Sequence, residues 1–570
     1  MKVLIITSLI GFTTCFSLWG QSPKFQSPVD VPISLAGNFG ELRGGHFHAG
    51  LDIRTQGREG LAIKAAAPGY ISRIGISLYG YGKVLYLTHP NGYTTVYAHL
   101  QKFNPEIEKY IKDIQYRDRK FTLDIQVDSS LFTYQAGDVI GVSGNRGGSG
   151  GPHLHFEIRN TGTERPLNPY LYGFKVADHK SPVIKTFSIY PLNDQSEVNG
   201  RNEALHLPVT GGGGKYRLKV PTSLKLHGKI GFGVETEDFT DSSPFRNGVY
   251  SIELLKNGHR VYFHQMDSFS FDETRYIQAH MDFYQAKKYK KRIQRSYLLD
   301  GNELSIYQDL VNRGKLFFIT DTSYSITYKI KDFFGNTSQI EVDVNSLAQK
   351  QTAPQVLEAS THQLILGQSG DYSDDHVHLH WDEHAVYENT PLRISEKKAI
   401  GRCQTPRYGI NTLYDPLHEY VELSIRIDSI PERLHSKLIV VSLDKNSKIL
   451  AAEGGEIEGD FIKVKTRSFG PYTVMADTTA PVANFTGFKS GKRFQSPGKI
   501  RFSVKDDISG LHHYEAYIDD QWTLVEYERN KKSGFLEIDR VQATGGRHDF
   551  TIELTDWRGN QKVLKGHFIY

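Results

Sequence analysis

The run from His153 to Arg159 alternates polar and apolar side chains, and it constrains the fold more than any other part of the chain. Successive side chains of a β-strand point to opposite faces, so this alternation predicts a strand. One face carries three apolar side chains that need a core, and the other carries His153, His155 and Glu157. Two imidazoles side by side on one strand face suit a metal ligand and a neighbour that handles protons.

An earlier motif supplies a second imidazole and a carboxylate for such a site. His48 and Asp52 are four residues apart, but Gly50 and the residues after it argue against a helix. We therefore predict that His48 ends a loop and that Asp52 lies on the strand that follows. Zinc prefers imidazole nitrogen and carboxylate oxygen, and a catalytic zinc site keeps one position open. His48, Asp52 and His155 thus form a candidate ligand set for Zn²⁺.

Two further histidines, His99 and His153, lie outside this ligand set. One can orient or deprotonate a water, and the other can bind an oxyanion or protonate a leaving amine. A pair such as His48 and Asp52 arises easily by chance among 23 His and 64 acidic residues. Each motif alone therefore favours an ordinary structural role, whereas three motifs in this order, among Gly-rich turns, favour a catalytic metal site.

The stretch from Gly37 to Tyr172 resembles the lysostaphin-type (LytM-like) zinc endopeptidases that cut peptidoglycan. The matching motifs, in order, are His48-x-x-x-Asp52, Ala67-Pro68-Gly69-Tyr70-Ile71, Tyr81-Gly82-Lys83-Val84-Leu85, Tyr97-Ala98-His99-Leu100, Ala136-Gly137-Asp138-Val139-Ile140-Gly141 and Gly151-Pro152-His153-Leu154-His155-Phe156. The resemblance covers roughly a quarter of the chain. It implies that His48, Asp52 and His155 hold zinc and that His99 and His153 are catalytic. None of the five is replaced here.

The remaining chain predicts further β domains. At 570 residues it is too long for one domain. After about Lys175, alternating runs separated by turn signals are typical of β-sandwich modules. The predicted fold is mainly β: an N-terminal barrel-like β-sandwich peptidase domain, of the duplicated hybrid motif type by resemblance, followed by Ig-like β-sandwich modules. The predicted bounds are 1–20 for a signal peptide, 25–175 for the zinc peptidase domain, and 176–350, 351–476 and 477–570 for the modules. We expect the peptidase domain to fold without the modules.

The first residues read as a secretory signal: Met1-Lys2, an apolar run to Trp19 and a polar exit at Gln21. The run is short and interrupted by hydroxyl side chains, which argues against a retained membrane anchor. Cys15 lies in a poor context for lipidation. We expect secretion across the inner membrane to the periplasm or cell envelope, with no stable membrane span after signal removal. The net charge of +4 gives no case for nucleic acid.

An insertion, residues 103–135, separates the His99 motif from the next predicted core strand. Asn104-Pro105 is a helix start, and Ile107, Tyr110, Ile111 and Ile114 follow at the spacing of an amphipathic helix. This helix either walls the substrate groove or packs on the side of the barrel, and the sequence favours neither. Farther on, residues 273–294 predict a solvated helix or a long loop.

These features predict a secreted zinc metalloendopeptidase that hydrolyses peptide cross-links of bacterial peptidoglycan. Its expected partners are peptidoglycan stem peptides and, through the β modules, envelope proteins. The alternative is a non-catalytic cell-wall scaffold or an activator of another wall hydrolase. A more distant alternative is a zinc peptidase that acts on proteins. The sequence does not name the bond that is cut.

Overall fold

The computed structural model of the chain describes residues 24–350, 362–495, 498–538 and 545–570. The predicted signal peptide, residues 1–20, lies outside these ranges. The fold is mainly β, as predicted, with a barrel-like N-terminal domain followed by further β modules. In the described part of the chain, every helix is too short or too polar to cross a bilayer.

The N-terminal domain is built from short strands around one hydrophobic core. Its strands are Leu35–Gly37, Leu51–Arg54, Ala62–Lys64, Gly69–Ile76, Lys83–Thr88, Tyr93–Ala98, Lys102–Phe103, Leu123–Gln126, Thr133–Tyr134, Val139–Val142, His153–Asn160 and Pro166–Leu167. One α-helix, Pro105–Asp118, and one 3-10 helix, Pro169–Tyr172, complete it.

The predicted strand at His153 is the centre of the main sheet. His153–Asn160 lies between Leu51–Arg54 and Tyr93–Ala98 and is antiparallel to both. His155 is the cross-strand partner of Asp52 on one side and of Ala98 on the other. Because direct cross-strand neighbours have side chains on the same face, this register gathers motifs that are distant in sequence.

The insertion contains the predicted helix, Pro105–Asp118, capped by the Asn104 side chain, which accepts a hydrogen bond from the Ile107 N–H. Ile107 and Ile111 are fully buried in the core of the domain. An amphipathic helix of this length needs such a partner surface, because it is marginal alone. The helix therefore packs on the side of the barrel.

The first module follows with one continuous twelve-stranded pairing network. Its strands are Val183–Pro191, Glu197–Val198, Leu205–Gly212, Lys215–Leu218, Lys225–Glu237, Ser251–Lys256, His259–Gln265, Ile293–Arg295, Tyr307–Leu310, Leu316–Phe318, Thr322–Lys331 and Thr337–Ser346. Its helices are Ile277–His280 and Phe283–Tyr289, with 3-10 turns Thr274–Tyr276 and Asn312–Gly314.

The middle module pairs its strands into two five-stranded sheets and one small two-stranded sheet. They are Gln363–Leu364, Gly370–Ser373, Val377–Trp381, Thr390–Pro391, Ile394–Lys397, Arg407–Ile410, Val421–Arg426, Leu438–Leu443, Ile449–Gly454, Glu456–Glu458, Phe461–Thr466 and Gly470–Ala476, with a 3-10 turn at Glu432–Lys437.

The C-terminal module has a four-stranded and a five-stranded sheet over its own core. Its strands are Val482–Thr486, Lys492–Arg493, Lys499–Lys505, Leu511–Ile518, Gln521–Thr523, Val525–Glu528, Ser533–Glu537, Arg547–Asp556 and Gln561–Ile569, with a 3-10 turn at Arg529–Lys531.

The first module shares a hydrophobic core with the peptidase domain. Phe39 and Phe47 of the peptidase domain are buried in one cluster with Phe269 and Ile277 of the module. The prediction of a solvated segment over residues 273–294 is wrong for residues 277–283, which are all buried, whereas residues 287–290 are exposed. Its helices are short, and their apolar residues pack on the neighbouring domain instead of following a long amphipathic period.

Candidate metal centre and catalytic groove

The structure brings together the three side chains that the sequence predicts as metal ligands. His48 lies in a loop, Asp52 on Leu51–Arg54 and His155 on the central strand. His48 Nε2 lies 3.0 Å from Asp52 Oδ1 and 2.9 Å from His155 Nδ1. His155 Nδ1 lies 2.9 Å from the same Asp52 oxygen. The three side chains are buried, and their ligand atoms lie close enough together for one small cation to contact all three.

Each candidate histidine ligand is oriented through its other ring nitrogen. His48 Nδ1 lies 2.7 Å from the Asn38 carbonyl oxygen, which can only accept, so this nitrogen carries the proton. His155 Nε2 lies 2.8 Å from Glu157 Oε1 and donates to that carboxylate. These bonds leave His48 Nε2 and His155 Nδ1 as the ligand atoms, an arrangement typical of metal-bound histidine.

The Glu157 carboxylate is completely buried and held by two further donors. Arg159 Nε donates to Oε2 at 2.7 Å, and the Tyr81 hydroxyl donates to Oε1 at 2.5 Å. Burial acts to raise the pKa of Glu157, but the Arg159 guanidinium and the hydrogen bond from His155 hold that pKa at about 2. An ionised Glu157 therefore fixes the ring of His155.

The electrostatics of the centre fit a cation. Burial opposes a charge on His155, yet hydrogen bonds with Asp52 and Glu157 raise the pKa of His155 to about 9. The surroundings thus favour positive charge where the three ligand atoms meet. Two imidazole nitrogens and one carboxylate oxygen are the donor set that zinc prefers, so the residues present fit zinc.

The second oxygen of Asp52 is also occupied. Arg43 Nη2 lies 2.8 Å from Asp52 Oδ2 and 2.8 Å from Glu41 Oε2. The guanidinium therefore fixes the carboxylate and leaves Oδ1 for the metal.

The two predicted catalytic histidines lie beside the ligand set. The ring centroids of His99 and His153 are 4.7 Å apart, and His153 Nε2 is 3.3 Å from Asp52 Oδ1. His99 Nδ1 bonds the Arg146 carbonyl and His153 Nδ1 bonds the Gly151 carbonyl, each at 2.8 Å. Burial and the neighbouring imidazoles of His153 and His155 lower the pKa of His99 to about 3. His99 is therefore neutral at pH 7 in the metal-free chain.

The loop 145–151 supplies both of those carbonyl acceptors. It packs closely on the turn before Lys83–Thr88: at Gly147, with φ +71°, an added Cβ would lie 2.4 Å from the Gly80 carbonyl oxygen. Only glycine fits such an approach in the left-handed region. The backbone of this loop therefore orients both His99 and His153.

The centre opens into a groove of about 940 Å³. Five candidate site residues line it, together with Phe245, Phe271 and Thr274 from the first module. The insertion 103–135 contributes no lining residue. Of the two alternatives for the insertion helix, the groove wall is wrong, because its apolar stripe faces the core of the domain.

Sequence reasoning missed the supporting roles of Tyr81, Arg43 and Arg159. A signal was available for one of them. The alternation that puts Glu157 on the face of His155 also puts Arg159 there, as a counter-charge for a buried carboxylate. The contacts of Tyr81 and Arg43 depend on the three-dimensional arrangement and have no local pattern.

Comparison with known proteins places two segments. Residues 46–115 match Peptidase family M23, and residues 361–477 match the Zu5-like domain. The DD-carboxypeptidase/endopeptidase Mpg of Neisseria meningitidis serogroup B is 33% identical over 122 residues, which is 21% of this chain and 22% of Mpg. The murein hydrolase activator NlpD of Salmonella dublin is 31% identical over 135 residues, 24% of this chain and 28% of NlpD.

Among solved structures, the catalytic domain of the M23 protein EnpA from Enterococcus faecalis is 26% identical. The match covers 27% of this chain and 98% of that domain, with a TM-score of 0.19. The chain thus spans only about a fifth to a quarter of the length of the curated relatives it matches. The match to Peptidase family M23 and the curated relatives confirm the resemblance of the N-terminal domain to lysostaphin-type peptidases.

Proposed function

We propose that this chain, whose residues 46–115 match Peptidase family M23, is a zinc metalloendopeptidase that hydrolyses peptide cross-links of bacterial peptidoglycan. The observation that carries the proposal is the convergence of His48, Asp52 and His155 at one end of an open groove, with His99 and His153 beside them. The family contains peptidases and, among the relatives, an activator of murein hydrolases, and the complete set of five favours the peptidase.

In this proposal His48 Nε2, Asp52 Oδ1 and His155 Nδ1 hold the zinc. Bound there, zinc would polarise the scissile carbonyl and acidify a water. His99 and His153 each commit Nδ1–H to a backbone carbonyl. Nε2 is then the nitrogen of each ring that remains for proton transfer. One neutral imidazole accepts the proton of the attacking water, and a protonated one returns it to the leaving amine.

The side chains that line the groove suit a peptide substrate that carries free carboxylates. Arg54, the cross-strand partner of His153, lines the groove and forms no ion pair with any carboxylate of the described chain. Its guanidinium stacks 5.2 Å from the ring centroid of Phe245. Phe245 and Phe271 are 45% and 37% exposed and offer apolar contacts to the same ligand. A cationic and aromatic groove of this kind suits stem peptides.

A substrate in the cell wall requires export. We propose that the protein acts in the periplasm or cell envelope after secretion directed by residues 1–20. The domain bounds 25–175, 176–350, 351–476 and 477–570, and envelope proteins as partners of the modules, are part of the same proposal. The Zu5-like match at 361–477 supports a separate middle module.

The test measures zinc content together with release of soluble peptides from purified peptidoglycan. His48→Ala, Asp52→Ala and His155→Ala should lose both zinc and peptide release, because a site with only two protein ligands holds zinc poorly. His99→Ala and His153→Ala should keep zinc and lose peptide release by about 10²–10⁴-fold. His179→Ala, whose side chain is 86% exposed, is the control.

Two outcomes would contradict the proposal. Full zinc occupancy in the His48→Ala variant would exclude the ligand set. Peptide release that survives in both the His99→Ala and the His153→Ala variants would exclude the catalytic pair.

The second candidate, an activator of another wall hydrolase, is favoured by the likeness to NlpD. An activator would release no peptide alone, would raise release by an added wall hydrolase, and would keep that effect in the His99→Ala variant. Release by the wild-type chain alone that His99→Ala abolishes separates the two functions.

A further inference from the structure

Two clusters of three aspartates lie at joints between modules, away from the groove. Asp178, Asp238 and Asp332 bring one carboxylate oxygen each within 4.8 Å of one another. A second set, Asp477, Asp506 and Asp556, meets the same distance. In both sets the first aspartate lies just before the first strand of a module. The third aspartate either directly follows a long strand, as Asp332 does, or is its last residue, as Asp556 is.

Both clusters contain buried oxygens without a hydrogen-bond donor. Asp238 is only 3% exposed, and its Oδ1 accepts no hydrogen bond. Asp178 Oδ2 in that cluster also lacks a hydrogen-bond partner, and in the other cluster Asp506 Oδ1 lacks one, on a side chain that is half-buried. A buried carboxylate oxygen without a partner is costly, so its presence in both clusters points to a ligand that supplies the missing interaction.

The two clusters are built in the same way. Asn336 Nδ2 donates to the Asp178 carbonyl oxygen at 3.2 Å and to Asp332 Oδ2 at 2.6 Å. Asn560 Nδ2 donates to the Asp477 carbonyl oxygen at 2.8 Å and to Asp556 Oδ2 at 2.7 Å. Each asparagine therefore ties the first aspartate of its cluster to the third. The same hydrogen-bonded arrangement of aspartates therefore occurs in two modules.

No direct ion pair balances the carboxylates of the clusters in the described part of the chain. None of the six carboxylates forms an ion pair with a Lys, Arg or His of the described residues, and Lys180, next to Asp178, donates instead to the Thr240 carbonyl at 2.9 Å. Burial and the neighbouring carboxylates of Asp178 and Asp332 raise the pKa of Asp238 to about 8. Three carboxylates in this space need a cation or protons.

We propose that each cluster binds one Ca²⁺ and that the two ions fix the joints of the molecule. The first ion would order the end of the first module that packs on the peptidase domain, and the second would order the end of the C-terminal module that contacts the middle module. The donors are carboxylate oxygens only, which excludes a preference for zinc. Calcium accepts irregular oxygen shells and suits loops such as these, whereas magnesium demands a near-ideal octahedron and keeps its waters.

Contacts around the clusters explain why an ion there would fix the joints. The turn after Asp332 packs Phe333 and Phe334 on Tyr170 of the peptidase domain, with ring centroids 5.1 and 5.0 Å away. At the second joint, Lys437 of the middle module donates to the Arg558 carbonyl at 2.7 Å, in the turn after Asp556. All three donors of each cluster lie in one module, at the end that contacts the neighbouring domain, so a bound ion would order that contact surface.

The test uses the full chain after removal of metals with a chelator and zinc reconstitution. Isothermal titration with CaCl₂ should show two bound ions, with a Kd near 10⁻⁴–10⁻³ M if the sites resemble extracellular modules. Asp238→Asn and Asp506→Asn should each reduce the stoichiometry to one, and the double variant to none. Asp241→Asn and Asp507→Asn, which alter ion-paired neighbours outside the clusters, are the matched controls.

Thermal unfolding gives a second readout that does not depend on stoichiometry. Without calcium, Asp238→Asn should unfold at the same or a higher temperature than wild type, because it removes charge repulsion. With calcium the order should reverse. Calcium should also slow proteolysis at residues 178–182 and 477–481 in wild type.

Absence of calcium binding, or binding that persists in the double variant, would overturn the proposal. Equal stabilisation by MgCl₂ at the same concentration would overturn the choice of calcium. An unchanged order of unfolding temperatures with and without calcium would show that the clusters do not bind the ion.

Discussion

The first module and the C-terminal module contact the peptidase domain through different interactions. The first module makes an apolar contact, in which the Phe269 ring lies 5.1 Å from Phe39 and 5.5 Å from Phe47. The C-terminal module makes a charged one. Arg146 of the peptidase loop pairs with Glu526 at 3.1 Å and with Glu528.

This difference gives the site one side whose contacts do not depend on salt and another side whose contacts do. Buried apolar contacts are insensitive to salt, whereas ion pairs are screened by it, here only weakly because the Arg146 side chain is 16% exposed. The candidate metal ligand His48 follows Phe47 on the apolar side. The catalytic candidate His99 bonds the Arg146 carbonyl on the charged side. Metal binding should therefore depend on the first module and proton transfer on the C-terminal module.

The largest expected effect comes from truncation. A chain that ends at residue 178 loses the partner of Phe39 and Phe47 and should be insoluble or free of zinc. A chain that ends at residue 476 should remain soluble and bind zinc. Soluble yield and zinc content measure both.

This outcome reverses the expectation, from sequence alone, that residues 25–175 fold without the modules. A soluble, zinc-bound chain of residues 24–178 would restore that expectation. It would also remove the distinction between the apolar contact with the first module and the charged contact with the C-terminal module.

A cavity on the apolar side should have the next largest effect. Phe269→Ala empties a fully buried position and should lower the free energy of unfolding by about 3–5 kcal/mol. Phe317→Ala, at a position 50% exposed in the same module, is the control and should cost far less. Chemical denaturation measures the difference. Equal losses in the two variants would mean that the shared core contributes little.

The charged side should respond in turnover as well as in stability. Glu526→Gln with Glu528→Gln leaves Arg146 without its carboxylate partners and should lower peptide release about tenfold while zinc stays bound. The expected loss of stability is about 1–3 kcal/mol. Added salt should slow the wild type more than this variant.

Asp549→Asn, which breaks an exposed ion pair in the same module, is the control. If the paired substitution changes turnover no more than this control, the C-terminal module does not position His99.

The smallest effect is expected at the insertion helix. Trp522 of the C-terminal module meets Tyr116 edge to face, with ring centroids 5.4 Å apart. Trp522→Ala should lower stability by about 0.5–1.5 kcal/mol and leave turnover on whole peptidoglycan unchanged. A change in substrate range would return the helix to the role of a groove wall.

Local patterns predict the central strand and the capped helix because period and capping depend on nearby residues. The alternation at His153 and the Asn104-Pro105 start are examples: the first forms a strand and the second begins a capped helix, as predicted. The five candidate site residues also come together, since the register of one strand aligns Asp52, His155 and the end of Tyr93–Ala98.

Contacts between modules could not be predicted in the same way. The partner of Phe47 is Phe269, and the partner of Arg146 is Glu526, and neither pair leaves a periodic trace in the sequence. Residues 273–294 illustrate the failure, because an exposed-looking, charged segment hides Ile277 in a core shared with another domain.

The shared core also depends on parts of the chain that are synthesised at different times. The cluster that contains Phe47 is completed only by residues up to Ile306, well after the last site residue, His155, has been made. At about 5–20 residues per second, roughly 8–30 s of synthesis separate His155 from Ile306. A chain that has not yet completed the first module leaves the apolar face around Phe47, next to the candidate ligand His48, uncovered.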